Sequence, residues 1–169
     1  MGAVTDAIAT SFRSGGKVLA AGNGGSAAEA QHLTSELLGR LDPARERAGL
    51  PAVALHADTS TLTALGNDYG YEHVFARQVQ ALGRAGDVLV VLSTSGGSKN
   101  LVEAVDVANE HGLVTVGLLG SGAVRPLHEK CSFVLAAPTD DPQTVQECHL
   151  VFVHALVAQV EDALDLGPG

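Results

Sequence analysis

The sequence predicts an α/β fold: a three-layer sandwich in which a five-stranded parallel sheet carries helices on both faces. Three observations predict it. Five short, nearly continuous apolar runs recur along the chain, the pattern of strands buried on both faces. Stretches with helical spacing separate these runs, so each strand–helix–strand unit is expected to cross over in the right-handed sense. Two glycine- and hydroxyl-rich turns, Gly22-Asn23-Gly24-Gly25-Ser26 and Ser93-Thr94-Ser95-Gly96-Gly97-Ser98, each stand between an apolar run and a helical stretch. In doubly wound sheets such turns line the crevice beyond the carboxyl ends of the strands.

The strands are expected at residues 18–21, 52–55, 88–92, 114–119 and 133–137, each of strand length and bounded by Gly, Pro, Asp or Ser. A first helix is predicted from Ser26 to the residue before Gly39. Ser26 and Glu29 have the spacing of a capping box, and Gly39 is a natural stop. A second helix is expected over 60–65 and a third over 72–82. A fourth covers 99–110, with Leu101, Val102, Val105 and Ala108 on one face and Gly112 as its stop. A fifth covers 143–164. The tail Gly167-Pro168-Gly169 is expected to fray.

A chain of 169 residues with 46% hydrophobic side chains fits one domain, spanning 1–169. Aromatics are 4% and Trp is absent, so Ala, Val and Leu must build the core. Ten basic against nineteen acidic residues give a net charge of −9, with no Lys/Arg cluster, which argues against nucleic-acid binding. Cys131 and Cys148 form no CxxC pair, and a reduced, cytoplasmic protein is the simplest expectation. The first ten residues lack the basic and apolar regions of a signal peptide. The most apolar late stretch, 150–160, is interrupted by His154 and Gln159 and is too short to span a bilayer.

The chemistry concentrates in the two turns and two helical stretches. Backbone amides at the helix start, with the hydroxyls of Ser93, Thr94, Ser95 and Ser98, suit a phosphate. Four hydroxyls in six residues exceed what capping requires. Asn23 offers both donor and acceptor to a sugar hydroxyl, whereas Ser26 alone is explained as a cap. His32 and Glu36, four apart, share one helix face. With Gln146 and His154 they offer nitrogen and oxygen donors of the kind zinc takes. A His-x-x-x-Glu pair is common on solvated helices, so spacing does not establish a metal site. Gln146 and His154, eight residues apart, are separated by about 12 Å along a helix axis. Gln146 must fold toward the site, or the helix must start after it, or two subunits must share the metal. His149, one turn after Gln146, could support the site. Asp68, in Gly66-Asn67-Asp68-Tyr69-Gly70, is either a turn former or a carboxylate facing a sugar. His56, His73, His111 and His128 read as surface or cap residues. Together the motifs point to a metal-dependent enzyme acting on a phosphorylated sugar.

The same residues, in order, resemble a known family. The first turn, Ala30-Gln31-His32, Glu36-Leu37, Gly39-Arg40, Gly66-Asn67-Asp68-Tyr69-Gly70, Ser93-Thr94-Ser95-Gly96, Val145-Gln146-Glu147 and His154 look like the sedoheptulose-7-phosphate (phosphoheptose) isomerases of the sugar isomerase (SIS) domain superfamily. The resemblance runs from about residue 17 to 164. It implies a SIS fold and an aldose–ketose isomerase making D-glycero-D-manno-heptose 7-phosphate for heptose precursor biosynthesis. It also implies a homotetramer with active sites at subunit interfaces and one Zn2+ per subunit. The zinc ligands would be His32, Glu36, Gln146 and His154. Glu36 and His154 would move protons. Ser93, Thr94, Ser95 and Ser98 would hold the phosphate, while Asn23, Ser26, Arg40, Asp68 and Gln146 would contact the sugar. Two features depart from the family. Few residues precede Lys17, where the family usually has a long helix that aids tetramer packing. Gly97 stands where Asn is frequent. Two other readings use a similar domain. One is a non-catalytic adaptor for the bacterial replication initiator, which would lack the late histidine. The other is an isomerase of another sugar phosphate.

Overall fold

The computed structural model describes residues 1–122 and 125–165. Strands β1 (Val18–Gly22), β2 (Ala52–Ala54), β3 (Val88–Ser93), β4 (Val114–Leu119) and β5 (Phe133–Ala136) form one sheet in the order β2-β1-β3-β4-β5. Every pairing is parallel. The chain winds outward from β1 in one direction and from β3 in the other. The switch point lies between these two central strands, whose register runs from Val18 opposite Val88 to Gly22 opposite Leu92. The ligand crevice of such a sheet opens there, beyond the carboxyl ends. The turns after β1 and β3 flank it.

Successive residues of a strand point to opposite faces, and the core divides accordingly. Val18, Ala20, Val88, Val90 and Leu92 pack against helices α1 (Gly2–Arg13), α2 (Gly25–Leu38) and α7 (Pro142–Ala163). Leu19, Ala21, Leu89 and Val91 pack on the other layer, made by α3 (Thr59–Tyr69), α4 (Ala76–Leu82), α5 (Lys99–Glu110) and α6 (Pro126–Lys130). The expected three layers are therefore present. The stripe on α5 buries Leu101, Ala104, Val105 and Ala108 completely. Truncating a leucine in such a stripe costs about 2–5 kcal/mol.

Local chemistry explains where the elements differ from expectation. Helix α1 was not predicted from the short segment before Lys17. It forms because Val4 and Ile8, one turn apart, bury against the sheet layer. Its Thr5 hydroxyl donates to Gln159 of α7 at 3.0 Å. Helix α3 runs to Tyr69, four residues beyond the expected 60–65, and ends at Gly70 with φ +92°. Asp58 caps its start, accepting from the Thr61 amide at 3.1 Å. The stretch expected as one helix at 72–82 divides into a 3₁₀ turn, Tyr71–His73, and α4. The capping box expected at Ser26 and Glu29 does not form. The helix begins one residue early, with Gly24 as its cap at φ +57°. Glu29 turns inward instead of back to the helix start. The tail expected to fray, 167–169, lies outside the described residues. Among the described residues no helix is long and apolar enough to cross a membrane.

The loop after α2 ties that helix to α7. Arg47, 1% exposed, donates from Nε to Glu161 of α7 at 2.6 Å. Its other nitrogens donate to the carbonyls of Glu36 (2.7 Å) and Leu37 (2.9 Å) at the end of α2. One guanidinium thus satisfies orphan carbonyls of one helix and a buried carboxylate of another. Arg47→Ala leaves Glu161 buried and uncompensated, and should lower stability by about 3–5 kcal/mol. Urea denaturation of wild type and variant checks it.

Candidate functional site

The β1–α2 turn is shaped by a close approach. A Cβ on Gly22 would stand 2.4 Å from the Ser26 carbonyl oxygen, so only glycine lets the chain double back into α2. The turn thereby presents Asn23 and Ser26 to the crevice. Asn23 and Asn100, on α5, exchange reciprocal amide hydrogen bonds of 3.0 and 2.9 Å. The Tyr71 hydroxyl adds a third, donating to Asn23 Oδ1 at 3.2 Å. This network joins the two turns across the switch point. Asn100 and Tyr71 were not singled out from sequence. The available signal was an asparagine one turn from Ala104 on an otherwise apolar helix stripe, and in the fold it is only 4% exposed.

The β3–α5 turn folds its hydroxyls over its own amides. Ser93 Oγ accepts from Gly96 N at 3.0 Å, and Ser95 Oγ accepts from Gly97 N at 3.3 Å. Ser98 is the N-cap of α5, yet its hydroxyl makes no capping hydrogen bond. A recess of about 120 Å³ lies between the turns. Its wall on one side is Ser93, Thr94, Ser95 and Ser98, and on the other Asn23, Ser26 and Gln146. Seven residues expected at the site therefore converge on one small, polar hollow at the start of two helices, α2 and α5. That setting suits an anion. Gln146 reaches it because position 25 is glycine: a Cβ there would stand 2.5 Å from the Gln146 amide nitrogen.

A second cluster joins the outward faces of α2 and α7. His32 Nε2 and His154 Nε2 lie 2.8 Å apart, with the rings edge to face. Neutral imidazoles at this distance share one proton, one ring donating and the other accepting. Glu36 stands on the other side of the His32 ring, its Oε1 3.8 Å from Nδ1. Nitrogen ligands of one tetrahedral zinc would stand about 3.3 Å apart, given bonds of about 2.0–2.1 Å. The facing Nε2 atoms are close to that spacing, and the donor types suit the ion. Gln146 lines the recess, two turns before His154 on α7. Among the described residues no group of three His, Cys, Asp or Glu side chains is gathered as a metal site.

The remaining expectations fall elsewhere. Arg40 is exposed and pairs with Glu46 on its own loop. Asp68 is exposed in the last turn of α3, accepting from the Asn67 amide at 2.7 Å. Neither lines the recess. His73 pairs with Glu103 at 2.6 Å, and His111 caps α5 against the Val107 carbonyl. His128 lies in the short α6 with Nε2 3.1 Å from the Gly120 carbonyl. His56 follows β2, and burial lowers its pKa. Burial pushes the Cys131 thiol up to about 12, so it is no nucleophile.

Comparison with known proteins agrees with this fold. A family model described as the SIS domain matches residues 1–120. A phosphoheptose isomerase of Rhodospirillum rubrum is 50% identical over 157 residues, 93% of this chain and 82% of the relative. One from Burkholderia pseudomallei is 50% identical over 161 residues, 95% of this chain and 80% of the relative. The structure of a phosphoheptose isomerase from Francisella tularensis superposes with a TM-score of 0.90 at 38% identity. That match covers 95% of this chain and 84% of that one.

The recess makes a quantitative demand. Each hydroxyl donating to a phosphate dianion contributes about 1.5–3 kcal/mol. Replacing Ser95 and Ser98 together by Ala should raise KM for a sugar phosphate at least about 10-fold, with little change in melting temperature. Steady-state kinetics check it, and an unchanged KM would put the phosphate elsewhere.

Proposed function

The chain belongs to the phosphoheptose isomerases of the SIS-domain family, and from that membership we propose how its own residues perform the reaction. The protein is an enzyme, an aldose–ketose isomerase. It converts sedoheptulose 7-phosphate to D-glycero-D-manno-heptose 7-phosphate through an enediol, a step in heptose precursor biosynthesis. Neither the adaptor reading nor an isomerase of another sugar phosphate gains support from the fold or from these relatives. The observation that carries the site assignment is the common mounting of two features. The hydroxyl-lined recess takes Ser26 and Gln146 from α2 and α7, and the His32–Glu36–His154 cluster stands on the same two helices.

The phosphate is held by Ser93, Thr94, Ser95 and Ser98, and by the amides at the start of α5. The sugar chain extends past Asn23, Ser26 and Gln146. Arg40 and Asp68 would reach it from the loops after α2 and α3. Moving the carbonyl from C2 to C1 requires a proton to leave C1 and another to arrive at C2. In the first half the C2 carbonyl oxygen also gains a proton, giving the enediol. In the second the C1 hydroxyl loses one, giving the aldehyde. Glu36 takes the proton from C1, and His154 is the proton carrier on the opposing helix. His32, within hydrogen-bond reach of His154, sets its ring orientation.

One zinc ion per subunit is part of the proposal, held by His32, Glu36, Gln146 and His154. Bound there, it would polarise the sugar carbonyl and ease loss of the neighbouring proton. A carboxylate on a metal is a weaker base than a free one, so Glu36 serves both roles only if it leaves the ion during turnover. The eight-residue separation of Gln146 and His154 supports a set completed across a subunit interface. Exposed Leu150 and Val151 on α7, and Leu38 on α2, supply the apolar surface for it. We therefore propose a homotetramer with interface active sites. A cytoplasmic location fits the unpaired Cys131 and Cys148.

Glu36→Gln keeps the side-chain size and removes the base. His154→Gln removes the proton carrier and keeps a polar group. Each should lower kcat for sedoheptulose 7-phosphate by about 10²–10⁴-fold, and the double variant should lose little more than the worse single. Product formation is followed with zinc content and folding measured for every variant, because metal loss would give the same kinetics. Wild-type-like kcat in either single variant contradicts the assignment. Light scattering should report four chains per particle, and a fully active monomer would refute the interface site.

A further inference from the structure

Between the recess and the facing histidines lies a buried acid–imidazole pair that the proposed reaction does not use. Glu29 is on α2, one turn before His32. His149 is on α7, one turn after Gln146 and five residues before His154. His149 is 0% exposed and Glu29 6%. Glu29 Oε2 lies 3.4 Å from His149 Nδ1, long beside the 2.7–2.9 Å of a charge-assisted hydrogen bond. Neither that oxygen nor either ring nitrogen of His149 has a partner in good hydrogen-bond geometry.

Such a pair is a poor way to hold two helices together. Buried polar groups cost stability unless well satisfied. Exchanging a buried ionic pair for apolar side chains of similar volume is often neutral or stabilising. The adhesion of α2 to α7 is already supplied by Ala30, Leu33, Leu37, Val153 and Leu156, all at most 1% exposed. The residue types at 29 and 149 therefore need a cause other than packing. Their position provides one. Glu29 lines a cleft together with Gly25 and Gln146. The pair thus spans the helix interface from the side of the recess toward His32 and His154.

Resting on the isomerase reading above, we infer that Glu29 and His149 are positioning residues for proton transfer. They set the spacing and register of α2 against α7 at the level where His32 and His154 meet. The His32–His154 separation is 2.8 Å. A misplacement of about 1 Å in reacting groups costs about 10²-fold in rate. Neither residue is assigned a contact with the substrate; both act through His32 and His154. Because the phosphate is held by a separate turn, their loss appears in kcat and leaves KM alone.

Two variants test this beside wild type: Glu29→Gln, which keeps shape, and the double change Glu29→Leu with His149→Phe, which replaces the pair by apolar volume. Melting temperature, kcat and KM are measured for each. The apolar variant should melt at or above the wild-type temperature, with KM within about 2-fold and kcat lowered at least about 10-fold. Glu29→Gln should show a smaller fall in kcat at unchanged KM. A purely structural role predicts the reverse: a lowered melting temperature with full kcat per folded molecule. Wild-type kcat in a folded apolar variant, or a loss that appears in KM, overturns the inference. If the apolar variant does not fold, Glu29→Gln decides, and wild-type kcat there overturns it. Wild type that never isomerises the phosphosugar fails the isomerase reading itself. Active wild type with fully active variants fails this inference alone.

Discussion

The packing of α2 on α7 is the constraint from which the rest of the site follows. The two helices come from opposite ends of the chain, and all four proposed metal ligands stand on them. Helix α2 does not hold its position by local propensity. It begins at a glycine with positive φ and ends at another glycine, and no side-chain hydrogen bond caps its start. Its far end is fixed by Arg47, which binds its last carbonyls and the Glu161 carboxylate of α7 together. Its near end is fixed by Gly22, where the turn admits no Cβ. Between these points a hydrophobic seam presses α2 onto β1 and β3 and α7 onto the same face of the sheet at β4. The 2.8 Å approach of His32 and His154 depends on all three, with the proposed Glu29–His149 pair setting the register where the rings meet.

The second constraint is electrostatic. A chain with net charge −9 must bind a substrate that is itself an anion. The recess between the turns solves this with dipoles rather than with charged side chains. Its lining is hydroxyls, amides and one apolar residue, Leu92, at the starts of two helices. Fixed dipoles in a small hollow act at short range, so the unfavourable field of the distant carboxylates is screened by solvent while the local field is not. The Asn23–Asn100 pair holds the two turns at a fixed separation, and the recess keeps its shape before a ligand arrives.

Much of this was legible in the sequence, because the signals were periodic or compositional. The five apolar runs became five strands with ends within a residue or so. The hydroxyl-rich turn after β3 sat at the carboxyl edge as expected. What escaped notice depended on tertiary contact. Helix α1 has a short apolar stripe that becomes informative only once a sheet is there to cover it. The capping box at Ser26 and Glu29 was correct as a pattern but was overridden by the close turn at Gly22. Asn100 and Tyr71 have no motif, since their role is to meet Asn23, far away in sequence. Arg40 and Asp68 were expected beside the sugar through resemblance, and in the single chain they lie on exposed loop and helix ends. The relation of Gln146 to His154 was an open geometric question in the sequence. In the folded chain they serve two neighbouring features, the recess and the histidine cluster.

The central claim is that side chains on α2 and α7 move protons between carbon and solvent-exchangeable groups. Running the reaction in deuterium oxide and reading the aldose product by mass spectrometry and proton NMR tests it most directly. Proton transfer through an enediol predicts deuterium at C2 of the D-glycero-D-manno-heptose 7-phosphate formed. Product that carries no deuterium at C2, its hydrogen moved intact from C1, would contradict the account.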